Sequence, residues 1–178
     1  MTGDTLVLGL GNPTRGDDRV GHAIVSGLRV PPGVDRRVTI LSDVRLVDLL
    51  AGYDRAIVVD AVPVEADAVG QWWHQDAASI AAHEDDTDFS HELSLGRLLE
   101  LARHDARPAP TVEAVLVGIA ADDRPQVELS ETLSPAVRAA VDPVRAAIRT
   151  ALDERREECS APRERDRTIA GGHTGDYS

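Results

Sequence analysis

The sequence contains no lysine, a single cysteine and few aromatic residues, with two Trp, two Tyr and one Phe. A lone cysteine, Cys159, cannot form an internal disulfide and lies outside any cysteine spacing that is typical of metal sites. Because aromatic residues are scarce, the core must consist mainly of Val, Leu, Ile and Ala. That composition is typical of a buried parallel sheet covered by helices.

All 19 basic residues are arginine, and they are outnumbered by 31 acidic residues, which gives a formal net charge of −12. An acidic surface repels phosphate backbones, so the composition argues against a nucleic-acid-binding protein. No apolar run is long enough to span a membrane, and the N-terminus lacks the basic and apolar pattern of a signal peptide. We therefore expect a cytoplasmic protein without a membrane partner.

A chain of 178 residues is long enough for one compact domain and short for two. We predict a single α/β domain over residues 1–157. Residues 158–178 are charged, Gly-rich and aperiodic, which predicts a disordered tail. A monomer is the default expectation for a small protein of this kind.

Apolar runs and helical spacing alternate along the chain. Continuous apolar segments predict strands at Thr5–Gly9, Val38–Leu41, Arg55–Val62, Thr111–Ile119 and, as an edge strand, Val69–His74. Apolar residues at helical spacing predict helices at 20–28, 46–50 and 93–104, and from Ser134-Pro135 towards Leu152, with Ser134 as the N-cap. Residues 77–90 are polar and acidic, which predicts a loop.

This alternation predicts an α/β fold with a doubly wound, mostly parallel twisted sheet and helices on both faces. In such sheets, ligands bind beyond the carboxyl ends of the strands. Three polar clusters lie at those positions, and they define the candidate site. They are the segment Gly9–Asp18, the residue Asp60, and Ser90-His91-Glu92.

Asp60 is the residue that the physical chemistry singles out first. A carboxylate at the end of an apolar strand is costly to desolvate unless a cation or hydrogen-bond donors meet it. It is either a cap for a neighbouring element or a ligand or catalytic acid, and we favour the second interpretation.

Asp17 and Asp18 precede a helix, where acidic residues usually act as N-caps and dipole partners. Because adjacent side chains point in different directions, one of them can cap the helix while the other faces the cleft. His91, taken alone, is more simply interpreted as a capping or surface residue. Together, Asp18, Asp60 and His91 would offer two oxygens and one imidazole nitrogen, a set that suits Ni²⁺ or Zn²⁺.

The glycine-rich segment after the first strand also invites comparison with dinucleotide-binding loops. Its glycines, Gly9, Gly11 and Gly16, miss the G-x-G-x-x-G spacing because Thr14 occupies the third position. Two carboxylates at the helix entry would also repel a pyrophosphate. We therefore exclude the dinucleotide interpretation.

The segment Leu8–Gly21, which contains Gly-Asn-Pro-Thr-Arg-Gly-Asp-Asp, closely resembles the N-terminal motif of the hydrogenase maturation proteases. The resemblance continues, in the order and at the approximate separations of that family, through three short motifs and covers about residues 5 to 150. They are Val59-Asp60-Ala61, Ser90-His91-Glu92-Leu93-Ser94-Leu95 and Leu133-Ser134-Pro135-Ala136-Val137.

The resemblance implies a doubly wound α/β endopeptidase that removes the C-terminal extension of a [NiFe] hydrogenase large-subunit precursor after nickel insertion. It implies that Asp18, Asp60 and His91 contact the metal and carry the catalysis. The nickel would be supplied by the substrate, although Zn²⁺ or another divalent ion could occupy the site in vitro. A metal there can polarise the scissile carbonyl, and either carboxylate could act as general base.

Two residues depart from the family pattern, since Arg19 replaces a small residue and His22 replaces an apolar or aromatic one. His22 could share a helix face with Asp18, but a partly exposed helical histidine is the simpler interpretation. The acidic segment 84–88 is expected to be a solvated loop.

Two alternatives to the protease remain open at this stage. Peptidyl-tRNA hydrolases share the Gly-Leu-Gly-Asn-Pro opening, but their catalytic histidine segment is replaced here by Gly16-Asp17-Asp18, and the net charge opposes tRNA binding. A non-enzymatic nickel-binding maturation chaperone would use the same ligands and cut nothing.

Overall fold

The computed structural model describes residues 4–40, 45–76, 110–121 and 129–160. The strands and helices within these ranges follow the predicted alternation. They are β1 (Thr5–Gly9), α1 (Val20–Ser26), β2 (Val34–Val38), α2 (Arg45–Leu50), β3 (Arg55–Val64), β4 (Trp72–Asp76), β5 (Thr111–Ala120) and α3 (Pro135–Ser160). Two short 3-10 helices, Gly16–Arg19 and Ala66–Ala68, precede α1 and β4.

The five strands form one sheet in the order β2-β1-β3-β5-β4. Strands β2, β1, β3 and β5 are parallel, and β4 runs antiparallel to β5 at the edge. The predicted α/β class with a mostly parallel sheet is confirmed. The edge position predicted for the segment around Trp72 is also confirmed, although the strand begins three residues later than the prediction, at Trp72 instead of Val69.

Alternate residues of the central strands pack against helices on opposite faces of the sheet, as the two-residue period of a strand requires. On one face, Val7, Ile57 and Val115 pack in a cluster with α1 and α3. On the other face, Leu6, Leu8 and neighbouring strand residues pack with α2. Helices therefore cover both faces, and this confirms the doubly wound arrangement.

The predicted position of the second strand was wrong by four residues, since β2 covers Val34–Val38 and not Val38–Leu41. Among the described strands, β2 lies at the sheet edge and pairs with β1 alone, so it needs no continuous apolar run. Its arginines also have local partners. Arg36 Nη1 donates to the carbonyls of Ser26 and Leu28 at 2.7 Å, and the Arg37 guanidinium lies 5.9 Å from the centre of the Tyr53 ring.

Helix α3 continues past the predicted end near Leu152 and reaches Ser160. The predicted loop at 77–90, the predicted helix at 93–104 and residues 161–178 of the predicted tail lie outside the described residues. Among the described helices, none has the length and apolar character needed to cross a membrane.

Candidate active site

Strand β1 stops while its neighbour β3 continues, and this opens a crevice in the sheet. Gly9, the last residue of β1, pairs with Val59, so Asp60 is the first residue of β3 beyond the end of β1. On its other side β3 remains paired with β5, where Asp60 lies opposite Leu116. From β1 the chain passes to β2 on one side of β1 and then to β3 on the other side, so the strand order reverses between β1 and β3. Ligands of doubly wound folds bind at such a switch point.

A close backbone contact brings the start of α1 against the middle of β3, at Val59. The Leu10 N–H donates to the Val59 carbonyl at 2.8 Å. A Cβ on Gly21 would overlap the carbonyl oxygens of both Leu10 and Val59, so only glycine allows this approach. Gly21 follows Asp18 by three residues and Val59 precedes Asp60, so the two predicted site residues lie at the same crevice.

Asp18 is half-buried, and the backbone of the preceding loop holds its carboxylate. The Asn12 N–H donates to Asp18 Oδ2 at 2.7 Å. Gly11 adopts a φ of 111°, and a Cβ there would overlap the Asp18 carbonyl oxygen. Gly11 therefore allows the loop to pack closely against the 3-10 helix that carries Asp18.

Asp60 is also half-buried, and its Oδ1 accepts a hydrogen bond from the following backbone N–H, that of Ala61, at 2.8 Å. The 3-10 helix Gly16–Arg19 contacts β3 directly, which places the Asp18 segment beside this strand. Asp18 and Asp60 therefore belong to two elements that are in contact with each other.

Asp17 binds a partner that the sequence did not indicate. Its Oδ1 accepts a hydrogen bond from the Ser134 N–H at 2.6 Å, across 117 residues of chain. Neither the 3-10 helix Gly16–Arg19 nor α1 has a side-chain cap, so the prediction that Asp17 or Asp18 caps this helix was wrong. The carboxylate lies instead at the start of α3, which begins at Pro135.

Three comparisons with known proteins bear on this geometry. No protein-family model matches the chain, and no curated protein matches it at a significant level. Among solved structures, the hydrogenase maturating endopeptidase HybD from E. coli is similar, with 26% identity and a TM-score of 0.66 over 87% of this chain and 94% of that chain. The hydrogenase 2 maturation peptidase from Thaumarchaeota archaeon SCGC_AB-539-E09 is also similar, with 26% identity and a TM-score of 0.53 over 83% of this chain and 97% of that chain.

The chain is similar in sequence and fold to these hydrogenase maturation peptidases. It is accordingly an endopeptidase, as the sequence resemblance implied. The [NiFe] hydrogenase maturation protease HybD from Thermococcus kodakarensis shares the fold at 22% identity, with a TM-score of 0.57 over 85% of this chain and 99% of that chain.

The third predicted site residue of this maturation protease, His91, lies outside the described residues, as does the acidic segment 84–88. Within the described ranges, no three His, Cys, Asp or Glu side chains form a group that could hold a metal ion. Asp18 and Asp60 are the predicted oxygen donors, and the metal-binding and catalytic roles of Asp18, Asp60 and His91 all stay predictions.

The two departures from the family pattern have structural roles in this protease. His22 donates its Nε2–H to the Thr39 carbonyl at 3.1 Å and so holds the chain that follows β2. Arg19 donates through Nη1 to the Glu131 carbonyl. The interpretation of His22 as a partly exposed helical histidine agrees with this contact.

A second charged cluster lies at the opposite end of the sheet, where β3 and β5 begin. Arg55 is 6% exposed and binds Glu113 through two hydrogen bonds of 2.6 and 3.0 Å. His74 Nε2 lies 2.8 Å from Glu113 Oε2, and Arg55 Nη1 donates to the Ala151 carbonyl of α3 at 3.0 Å. Burial by itself raises the pKa of Glu113, but the hydrogen bond and charge of Arg55, with a smaller effect of His74, lower it below its usual value.

A cavity of about 210 Å³ lies between α1 and β2, away from both aspartates, and is lined by Val25, Ser26, Arg36, Arg37 and Val38. These side chains include no carboxylate, imidazole or thiol. The cavity therefore offers no general base for peptide hydrolysis.

Proposed function

We propose that this protease removes the C-terminal extension of a [NiFe] hydrogenase large-subunit precursor once nickel has been inserted. The observation that carries the proposal is that the 3-10 helix with Asp18 contacts β3, in which Asp60 is the first residue beyond the end of β1. The similar solved structures are hydrogenase maturation peptidases, and this similarity supports the same substrate class.

In this proposal the nickel belongs to the substrate and is recognised by Asp18, Asp60 and His91. Carboxylate oxygens and an imidazole nitrogen form a donor set that suits Ni²⁺ and leaves coordination positions open. Contact with the ion would bring the scissile bond beside the two carboxylates, so cleavage would depend on nickel loading. Zn²⁺ or another divalent ion could occupy the same donors in vitro.

The chemistry is hydrolysis of one peptide bond. A carboxylate of the pair accepts a proton from water as the water oxygen adds to the scissile carbonyl carbon, and the C–N bond then breaks. The proton passes to the departing amine, and the products are the mature large subunit and a free C-terminal peptide. This pathway requires no serine or cysteine nucleophile.

The test compares two preparations of one purified large-subunit precursor, one loaded with nickel and one without it. The purified protease is added to each, and intact-mass spectrometry follows loss of the C-terminal peptide. We expect cleavage of the nickel-loaded precursor alone. Equal cleavage of both would refute recognition through nickel, and cleavage of neither would refute the proposed substrate.

His91 is tested separately by the His91→Ala variant with the nickel-loaded precursor. We expect loss of processing, because the donor set would lose its nitrogen ligand. Asp142→Ala is a suitable control, because Asp142 is exposed and accepts a hydrogen bond from Arg145 of the same helix at 3.2 Å. Full activity of His91→Ala would remove this residue from the site.

A further inference from the structure

The segment Ser130–Ser134, which we call the clasp, binds the loop that carries Asp18 at several points. The Gly16 N–H donates to the Ser130 carbonyl at 2.7 Å, and the Ser130 N–H donates to the Thr14 carbonyl at 2.9 Å. Arg15 and Ser130 form a parallel β-bridge. The loop is therefore fixed on its outer side by a segment more than 100 residues away in the chain.

Asp17 makes the side-chain contact that joins this loop to α3. Its Oδ1 lies 2.6 Å from the Ser134 nitrogen, and the next residue, Pro135, begins the helix and has no N–H to offer. A carboxylate at this end of a long helix is also favoured by the helix dipole. Ser134 Oγ lies 3.5 Å from the Val137 nitrogen, so the serine hydroxyl and Asp17 serve different backbone groups.

The neighbouring carboxylate, Asp18, is held from the inner side by the Asn12 N–H at 2.7 Å. Asp17 and Asp18 are consecutive residues of one 3-10 helix, so a displacement of Asp17 moves the backbone of Asp18. The hydrogen bond from the Ser134 N–H of the clasp to Asp17 and the hydrogen bond from the Asn12 N–H to Asp18 thus both hold the same short helix.

We infer that Asp17 is a positioning residue, which sets the place of the Asp18 carboxylate in the crevice through its hydrogen bond to the Ser134 backbone. The inference rests on the proposed function, in which Asp18 contacts the substrate. Asp17 itself contacts the start of α3 and does not act on the substrate. A displacement of about 1 Å at a reacting group can lower a rate by about a hundredfold.

The principal variants are Asp17→Ala, which removes the acceptor, and Asp17→Asn, which keeps an oxygen that can accept the Ser134 N–H. We expect kcat/KM for a nickel-loaded precursor to fall by about tenfold to a hundredfold in Asp17→Ala and to recover to within about threefold of wild type in Asp17→Asn. Glu113→Gln, at the opposite end of the sheet, controls for loss of stability alone.

The amide proton of Asn12 gives a readout that is independent of activity, because its NMR shift reports the hydrogen bond to Asp18. We expect this resonance to move upfield in Asp17→Ala and to stay in place in Asp17→Asn and Glu113→Gln. An unmoved Asn12 resonance in a folded Asp17→Ala protein would overturn the inference. So would wild-type processing by Asp17→Ala in an assay where Asp60→Ala is inactive.

The donor side of the contact is tested by Ser134→Pro, which removes the N–H, with Ser134→Ala as its control, which keeps it. We expect Ser134→Pro to reproduce the loss of Asp17→Ala and Ser134→Ala to process normally. If Asp17→Ala does not fold, the two Ser134 variants test the positioning role of Asp17 in its place. Normal processing by Ser134→Pro would overturn the inference. If the wild-type protein cuts no precursor, the proposed function fails, and the Asn12 resonance still tests the role of Asp17.

Discussion

Arg55 and Glu113 lie where the parallel strands begin, and Asp18 and Asp60 lie where β1 ends. At the beginning of the strands, two side chains of opposite charge bind each other through two hydrogen bonds, and His74 and the Ala151 carbonyl complete the set. At the end of β1, the carboxylates of Asp17 and Asp18 accept hydrogen bonds from backbone N–H groups. A pair of side chains neutralises its own charge, whereas a backbone donor orients a carboxylate and leaves its negative charge.

This difference separates a cluster that stabilises the fold from a cluster that can act on a substrate. The Arg55–Glu113 pair joins β3, β5 and α3 at the end of the sheet where β3 and β5 begin. Asp18 and Asp60 lie near the end of β1, where the backbone N–H groups of Asn12 and Ala61 donate to their carboxylates and offset part of the cost of desolvation. Variants at the two ends should therefore affect different measurements.

The largest effect is expected for Asp60→Ala, which removes one of the two carboxylates at the crevice. We expect kcat/KM for a nickel-loaded precursor to fall by about 10²-fold to 10⁴-fold, the range that loss of a general base produces. The melting temperature should change little, because Asp60 is only half-buried. Processing rates and thermal unfolding, measured on the same preparation, check the predicted loss of activity and the predicted small change in melting temperature. Activity within twofold of wild type would contradict the catalytic role proposed for Asp60.

Gly21→Ala tests whether the close backbone contact at Val59 assembles the crevice. The added Cβ would overlap the carbonyl oxygens of Leu10 and Val59, and neither is a side chain that can move away. We expect a loss of about 2–3 kcal/mol in the free energy of unfolding together with a loss of processing. Gly33→Ala is the control. The φ of 86° at Gly33 strains an alanine, but the added Cβ would meet no described atom within 4 Å beyond its chain neighbours. This variant should therefore lower stability and keep activity.

Glu113→Ala should produce the opposite pattern, a loss of stability with normal processing. It leaves Arg55 buried without its carboxylate partner, and removal of one member of a buried pair costs about 3 kcal/mol. Because Glu113 is 21% exposed, solvent offsets part of that cost. Urea unfolding measures the loss, and a processing defect measured well below the transition would show that the two ends of the sheet are coupled.

The buried strands β1, β3 and β5 and the start of α3 follow from local patterns, so the sequence predicts them with small errors at their ends. The edge strand β2 contains Asp35, Arg36 and Arg37 and has no such pattern, because one side of an edge strand is free of pairing. The position of Asp60 beyond the end of β1 could be predicted, because the apolar strand that contains it is recognisable in the sequence. The contact of Asp17 with Ser134 could not, since local spacing contains no information about a partner 117 residues away.

The charge state of Glu113 gives a pH-dependent way to sharpen the comparison. The pKa of Glu113 in the folded protein lies below its ordinary value of 4.5, so the folded state favours the carboxylate. Its contribution is complete above about pH 4.5 and is lost as the pH falls through the lowered pKa of the folded state. As the pH is lowered below about 4.5, the free energy of unfolding should therefore fall less in Glu113→Gln than in wild type. Parallel curves of unfolding free energy against pH for the two proteins would contradict this prediction.

The smallest effect is expected at Tyr53, which precedes β3 at the same end of the sheet as Glu113. Its hydroxyl donates to Asp35 Oδ2 at 2.8 Å, and burial, followed by this hydrogen bond, raises the pKa of Tyr53 above 10.0, so it stays a donor at neutral pH. Tyr53→Phe keeps the buried ring and removes one hydrogen bond, which should cost about 1 kcal/mol. Thermal unfolding measures this change, and Asp35→Asn, which keeps an acceptor, should cost less. A processing defect in Tyr53→Phe would mean that contacts at the beginning of the strands also control the crevice, and the separation of the two ends would then be wrong.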